Sequence, residues 1–187
     1  MLKRKNVIQT TLLFLLYVAF AYVSVFPGYY SPVYWTLFPI VAGFLMAGPL
    51  TVMMLRKRMS GTAAMFPVAL FILAKLMGEM KFTCVWIPFL LIAIAAENVH
   101  CHLDPQKLLS IRVSVPLSLL TMAMWNNGFY FGGEAYLSAG IEDMGAEYIA
   151  AACRMATPFT YIAVLAGVFL AAMLSERLTE KITKISQ

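Results

Sequence analysis

Residues 33–58 read VYWTLFPIVAGFLMAGPLTVMMLRKR. The stretch 33–55 carries no formal charge and then runs into Arg56-Lys57-Arg58. At 1.5 Å per residue a helix of that length covers about 35 Å, enough for a hydrocarbon core of ~30 Å. A basic cluster at the end of an apolar segment marks the cytoplasmic side of a membrane. This segment therefore predicts a membrane span that begins outside and ends inside.

Working outward, further apolar segments cover 7–26, 62–78, 82–98, 111–132 and 156–175. With 33–55 they make six predicted spans. Lys3, Arg4 and Lys5 precede the first, and Lys107 and Arg112 flank the connection between the fourth and fifth. Arg177, Lys181 and Lys184 follow the sixth. Alternate connections thus hold eleven of the fourteen Lys and Arg residues, which predicts both termini in the cytoplasm. Only Lys81 and Arg154 fall in the opposite connections, and Lys75 lies in or near the membrane. The fold class expected is an all-α membrane protein, one six-helix domain over 1–187.

Composition agrees. The chain is 61% hydrophobic and 12% charged, about half the charge of a soluble domain, so no soluble catalytic domain fits beside the spans. The net charge of +5 sits in short clusters at span ends, where it sets topology and meets lipid headgroups; no nucleic-acid partner is expected. Ala19-Phe20-Ala21 resembles a signal-peptide cleavage site, but the apolar stretch is long for a signal sequence and is expected to be retained. Cys84, Cys101 and Cys153 form no disulfide framework and no zinc spacing. Glu97, His100, His102 and Asp104 are expected to be solvated residues of an inner turn, with no metal or other cofactor. Pro39 and Pro49 should kink the second span, and neighbours must satisfy the carbonyls they free. One interfacial helix is expected near 143–155 in the long acidic connection 132–157.

Three groups of residues are candidates for function. Lys75 and Glu79 are four apart and share a face of a continuing helix; they are a ligand group, a structural bridge, or a snorkelling lysine beside a carboxylate. Trp125-Asn126-Asn127-Gly128-Phe129-Tyr130 sets two amides among aromatic rings at the outer end of the fifth span. Amides orient a ligand by hydrogen bonds and rings wall it in; the alternative is an aromatic belt with asparagine caps. Tyr34, Trp35 and Trp86 come from other spans at the same depth, so Tyr34, Trp35, Trp86, Trp125 and Tyr130 are the predicted walls. Third, Ala163, Gly167 and Ala171 form a small-residue stripe on the sixth span, suited to internal packing or to docking another membrane subunit. No Ser/His/Asp set, HExxH or P-loop is present, so no enzyme activity is expected.

The pattern Tyr34-Trp35…Phe38-Pro39…Gly43…Ala47-Gly48-Pro49 before Arg56-Lys57-Arg58, with Glu134-Ala135-Tyr136-Leu137…Asp143-Met144-Gly145-Ala146-Glu147-Tyr148, resembles the Trep_Strep family of bacterial integral membrane proteins. The resemblance covers about 5–180, and that family in turn resembles the substrate-binding (S) components of energy-coupling factor (ECF) transporters. It implies a subunit of the bacterial cytoplasmic membrane that captures a vitamin or other micronutrient outside. Such a subunit docks to a transmembrane coupling subunit carrying two ATPases. The small-residue surface on the first helix of such subunits corresponds most nearly to Ala19. The competing expectations are a membrane enzyme acting on a lipid-like molecule, and an assembly factor.

Overall fold

The computed structural model describes residues 2–185, with side chains from 7 to 183. Lys3, Arg4, Lys5 and Lys184 lie outside the described side chains. The described residues are helical throughout, without strands. Helix α1 is Leu2–Val25, and a 3-10 turn, Phe26–Tyr30, leads into α2, Pro32–Lys57. Helices α3, Thr62–Leu76, and α4, Thr83–His102, follow. Helix α5, Leu108–Leu119, tightens into a 3-10 segment, Leu120–Asn126, and resumes as α6, Asn127–Phe131. Two short helices, α7 (Gly133–Met144) and α8 (Ala146–Met155), precede α9, Pro158–Ile185. The single interfacial helix expected near 143–155 is thus a pair, broken at Gly145, whose φ of 89° a side chain rarely adopts.

Five of the described helical stretches are long and apolar enough to cross a membrane: Val7–Tyr30, Pro32–Lys57, Thr83–His102, Leu108–Phe131 and Pro158–Thr183. The expected third span, 62–78, appears as a shorter apolar helix of 15 residues. Contacts nevertheless place its two ends at opposite ends of the bundle. At its start Gly61 N donates to Glu97 at 2.5 Å, and Thr62 Oγ1 meets His100 Nε2 at 3.0 Å. Just beyond its last turn Met77 Sδ accepts from Tyr22 at 3.2 Å.

Other cross-links define the same two ends. Arg56 donates to Gln9 at 2.9 Å, Gln106 to the Arg58 carbonyl at 3.1 Å, and Arg112 makes a bidentate pair with Glu180 at 2.8–3.0 Å. Arg56, Arg58, Arg112 and the α3 start therefore share a basic end. Tyr130 and Tyr161 stack 4.7 Å apart at the opposite, aromatic end.

Helices α2 and α5 are the interior staves. Their most apolar windows are 61% and 67% buried, against 22–28% for α1, α4 and α9. Leu12, Val23, Leu91, Ile162 and Leu170 point outward, an arrangement that lipid tails, not water, accommodate. Helices α2 and α9 run parallel and closely packed: a Cβ on Gly43 would lie 3.0 Å from Val168, and one on Gly167 2.6 Å from Ile40.

The prolines explain the interior polar residues. Pro39, Pro67 and Pro88 lie inside α2, α3 and α4 without ending them. Each lacks an N–H and so frees the carbonyl four residues earlier, that of Trp35, Ala63 and Cys84. All three are capped from the α5 rod. Asn126 Nδ2 donates to Trp35 O at 2.9 Å, Ser118 Oγ to Ala63 O at 2.9 Å, and Asn127 Nδ2 to Cys84 O at 3.2 Å. In a medium with no water to hydrogen-bond, this side-chain repair lets α2, α3 and α4 keep their prolines.

Candidate functional site

The aromatic end holds a cavity of about 320 Å³, within the range of small-molecule sites. Several elements that reach that end contribute, though neither α1 nor α9 does. Tyr29 comes from the first 3-10 turn, Trp35 from the start of α2, and Glu79, Lys81 and Phe82 from the α3–α4 tip. Trp125 and Phe129 come from the α5–α6 rod, and Tyr136, Asp143, Met144 and Ile149 from the helix pair over the top. The rings touch in sequence: Tyr29–Trp35 at 5.3 Å, Trp35–Phe129 at 6.5 Å, Phe129–Tyr136 at 5.3 Å and Tyr136–Phe82 at 5.1 Å. All four contacts are edge-on, the favourable arrangement for aromatic quadrupoles.

Local sequence builds this wall. Gly128 and Gly132 form a notch on α6, and a Cβ on either would overlap Tyr136. Helix α7 therefore seats its tyrosine against the rod because two glycines, four apart, leave the space. Helix α8 is tied down by Tyr148, whose hydroxyl donates to the Gly28 carbonyl. Burial, then the neighbouring Tyr29, pushes that phenol up to about 12, so it stays a donor at neutral pH. Burial pushes Tyr136 upward too, and the half-buried Glu79 carboxyl above its ordinary value.

Of the predicted site residues, Trp35, Glu79 and Trp125 line the cavity. Tyr34, Lys75, Trp86, Asn126, Asn127 and Tyr130 do not, and their positions correct the sequence reading. Lys75 is not paired with Glu79: its ammonium donates to Met80 O at 2.7 Å, 5.4 Å from the Trp86 ring centroid, and so folds the α3–α4 tip. Trp86 packs on Phe71, and Tyr130 on Tyr161. Tyr34 is half-buried beside the core. The amide nitrogens of both asparagines hold proline-freed carbonyls; Asn127 Oδ1 accepts from Tyr161 at 3.0 Å, and Asn126 Oδ1 is buried without a partner among the described residues. Asn126 fixes the cavity wall indirectly, through the backbone of Trp35 and Thr36.

Sequence reading did not assign Tyr29, Phe82, Phe129, Tyr136 or Asp143 to the wall. The Gly128–Gly132 spacing was the signal for Tyr136; no local signal brings Phe82 to it.

At the basic end Glu97 and His100 are not loose turn residues, whereas Asp104 is a half-exposed residue of the turn after α4. Glu97 accepts from the N–H groups of Gly61, Ala63 and Ala64 at 2.5–3.2 Å, capping the α3 N-terminus from a neighbouring helix. His100, fully buried, lies between Thr62 at 3.0 Å and Ser110 at 2.5 Å. Asp104 accepts from Gln106 N at 3.1 Å. Among the described residues no cluster of His, Cys, Asp and Glu could hold a metal. Of the small-residue positions, Ala19 and Ala163 are exposed and Ala171 is half-buried. Gly167, half-buried, faces Ile40 of α2, which is the internal-packing use of the stripe at this position.

No curated protein and no solved structure matches the chain. A family model described as a hypothetical bacterial integral membrane protein (Trep_Strep) matches residues 4–184. The chain, with its several membrane-length apolar helices, therefore belongs to the Trep_Strep family of integral membrane proteins.

Proposed function

We propose that this protein is the substrate-binding membrane subunit of an ECF-type importer, resident in the bacterial cytoplasmic membrane. The observation that carries the reading is the aromatic-walled cavity at one end of the bundle, covered by α7 and α8. Beneath it the bundle is packed solid with Phe38, Met46, Leu119 and Met122, all fully buried. Such a molecule captures a small ligand from one side and offers no path through itself. In this reading the chain crosses the membrane six times, with α3 as a short third crossing and the basic end in the cytoplasm. The Lys/Arg distribution supports that orientation. A coupling membrane subunit and two ATPases supply the energy. The exposed faces carrying Ala19 on α1 and Ala163 on α9 are the first places for docking, since small residues allow close helix approach.

The test is purification from its native membrane in mild detergent, followed by mass spectrometry of what accompanies it. A stoichiometric small molecule, and ATPase subunits recovered with the tagged chain, are the expected result. Proteoliposomes holding only this chain should bind that molecule without concentrating it. Accumulation against a gradient by the chain alone would overturn the reading.

A further inference from the structure

The cavity walls carry more chemical information than their apolar character. Three charged side chains line it: Glu79, Lys81 and Asp143. Among the described residues neither carboxylate is in a hydrogen bond or ion pair, with Lys81 or with any other group. Both share the cavity lining with Tyr29, which feels the charge of each. Lys81 and Asp143 are both exposed, at the rim of the cavity, and Glu79 is half-buried below them. The covering helices add Glu134, Glu142 and Glu147 against the single Arg154, so the field over the mouth is negative.

The remaining wall is apolar and mixes aromatic rings, among them Tyr29, Trp35, Phe82, Trp125 and Phe129, with aliphatic side chains such as Val85, Met144 and Ile149. Trp35 is 6% exposed, and its indole N–H has no partner among the described residues. Aromatic faces attract cations and stack on flat rings, and a desolvated site strengthens both effects. A carboxylate or phosphate ligand would meet two unpaired carboxylates here, with only a rim lysine to answer them.

We propose that the cavity takes a small, flat organic cation, its ring between the aromatic side chains and its positive charge toward Glu79 and Asp143. This rests on the ligand-binding reading above and adds the ligand's chemical class. The cation supplies the countercharge that the lining carboxylates lack. Its ring replaces water against walls already set edge-to-face around the space.

The probes are three two-ring compounds that differ only in charge near the ring nitrogen: N-methylquinolinium, quinoline and quinoline-2-carboxylate. Binding is measured by equilibrium dialysis against the full chain in zwitterionic nanodiscs at about pH 8, where quinoline is neutral and Asp and Glu are ionised. Empty nanodiscs correct for partitioning into lipid. N-methylquinolinium should bind at least about tenfold tighter than quinoline, the size of a partly desolvated cation–aromatic and charge contribution. The carboxylate should bind most weakly. Glu79→Gln with Asp143→Asn should bring N-methylquinolinium and quinoline within about threefold of each other, the residue being the cation–aromatic part. Neither substitution removes a hydrogen bond, so helix content and thermal unfolding should be unchanged. Lys81→Gln should move affinity the opposite way, tightening the cation.

Quinoline or its carboxylate binding as tightly as the cation would overturn the proposal. So would a cation preference that survives the double substitution, or no binding of any probe up to about 1 mM. These failures are distinct from failure of the subunit reading. An anionic or neutral molecule co-purifying in the cavity would sink the cation class and leave a binding subunit. ATP-independent accumulation would sink the subunit and leave the cavity's preference standing.

Discussion

Asn126 shows how a single side chain that suggests a ligand contact can serve the fold. A buried amide among aromatic rings reads as a ligand contact, yet its Nδ2 is used on the carbonyl that Pro39 frees. The expected outcome of Asn126→Ala is a loss of about 1–3 kcal/mol of stability, the cost of an unsatisfied buried acceptor. Pro39→Ala restores the missing N–H, so Asn126→Ala should cost clearly less in that background. A double-mutant cycle by thermal or denaturant unfolding measures the coupling. Additive effects would separate the two residues and return Asn126 to the list of ligand groups.

Glu79 carries the residue-scale pH prediction. Burial raises its carboxyl, with Tyr22 and Tyr29 beside it and Lys81 and Asp143 sharing the cavity. Protonation removes the charge that a cation needs. N-methylquinolinium affinity should therefore fall as pH is lowered, beginning above the ordinary glutamate value of about 4.3. In Glu79→Gln the fall should be smaller and should shift to lower pH. Dialysis across that range checks it, and an identical profile in the variant would exclude Glu79.

Among elements, α3 is the one most dependent on its neighbours. It has 15 residues, starts at a glycine that offers no side-chain cap, and contains Pro67. Helices of this length are marginal alone. Its orphan N–H groups are held by Glu97 from α4, and its proline-freed carbonyl by Ser118 from α5. Charge-assisted bonds at a helix N-terminus are among the stronger ones. Glu97→Ala should lower unfolding free energy by about 2 kcal/mol, and Glu97→Gln by less, since one acceptor oxygen remains. Hydrogen exchange should localise the loss to the first turns of α3. Equal loss along the whole bundle would mean that Glu97 acts on global packing.

For the whole molecule the decisive question is which way α3 runs with respect to the bilayer. The contacts carry it from the basic end to the aromatic end, so the chain turns at each end alternately. The six-crossing reading then puts Ser60 inside and Glu142 outside, both exposed positions. In a background without Cys84, Cys101 and Cys153, a membrane-impermeant maleimide on intact cells should modify a cysteine at Glu142 and spare one at Ser60. With only five crossings, both sites could not obey this pattern while the basic ends of α2 and α9 stay on one face. Labelling of Ser60 alone would invert the orientation.

Five of the six expected spans were legible in the chain because lipid imposes a simple rule of long runs without charge; the remaining one, 62–78, is a shorter helix. Nothing beyond local composition was needed to find 33–55 or to pair it with Arg56-Lys57-Arg58. Trp35, Glu79 and Trp125 were also legible as cavity residues, since depth in the membrane follows from position along a span. The rest was settled by contacts between distant parts of the sequence. Asn126 and Asn127 became carbonyl caps because Pro39 and Pro88 lie beside them in space, not in sequence. Glu97 became a helix cap because α3 begins against α4. Lys75 chose the Met80 carbonyl over Glu79 because the chain turns after Leu76 instead of continuing as a helix. Tyr136 joined the wall because two glycines on another element make room for it. Hydrophobicity and charge at span ends act locally and can be read one segment at a time; hydrogen-bond partners and cavity walls are pairings between segments, and only the packed bundle decides them.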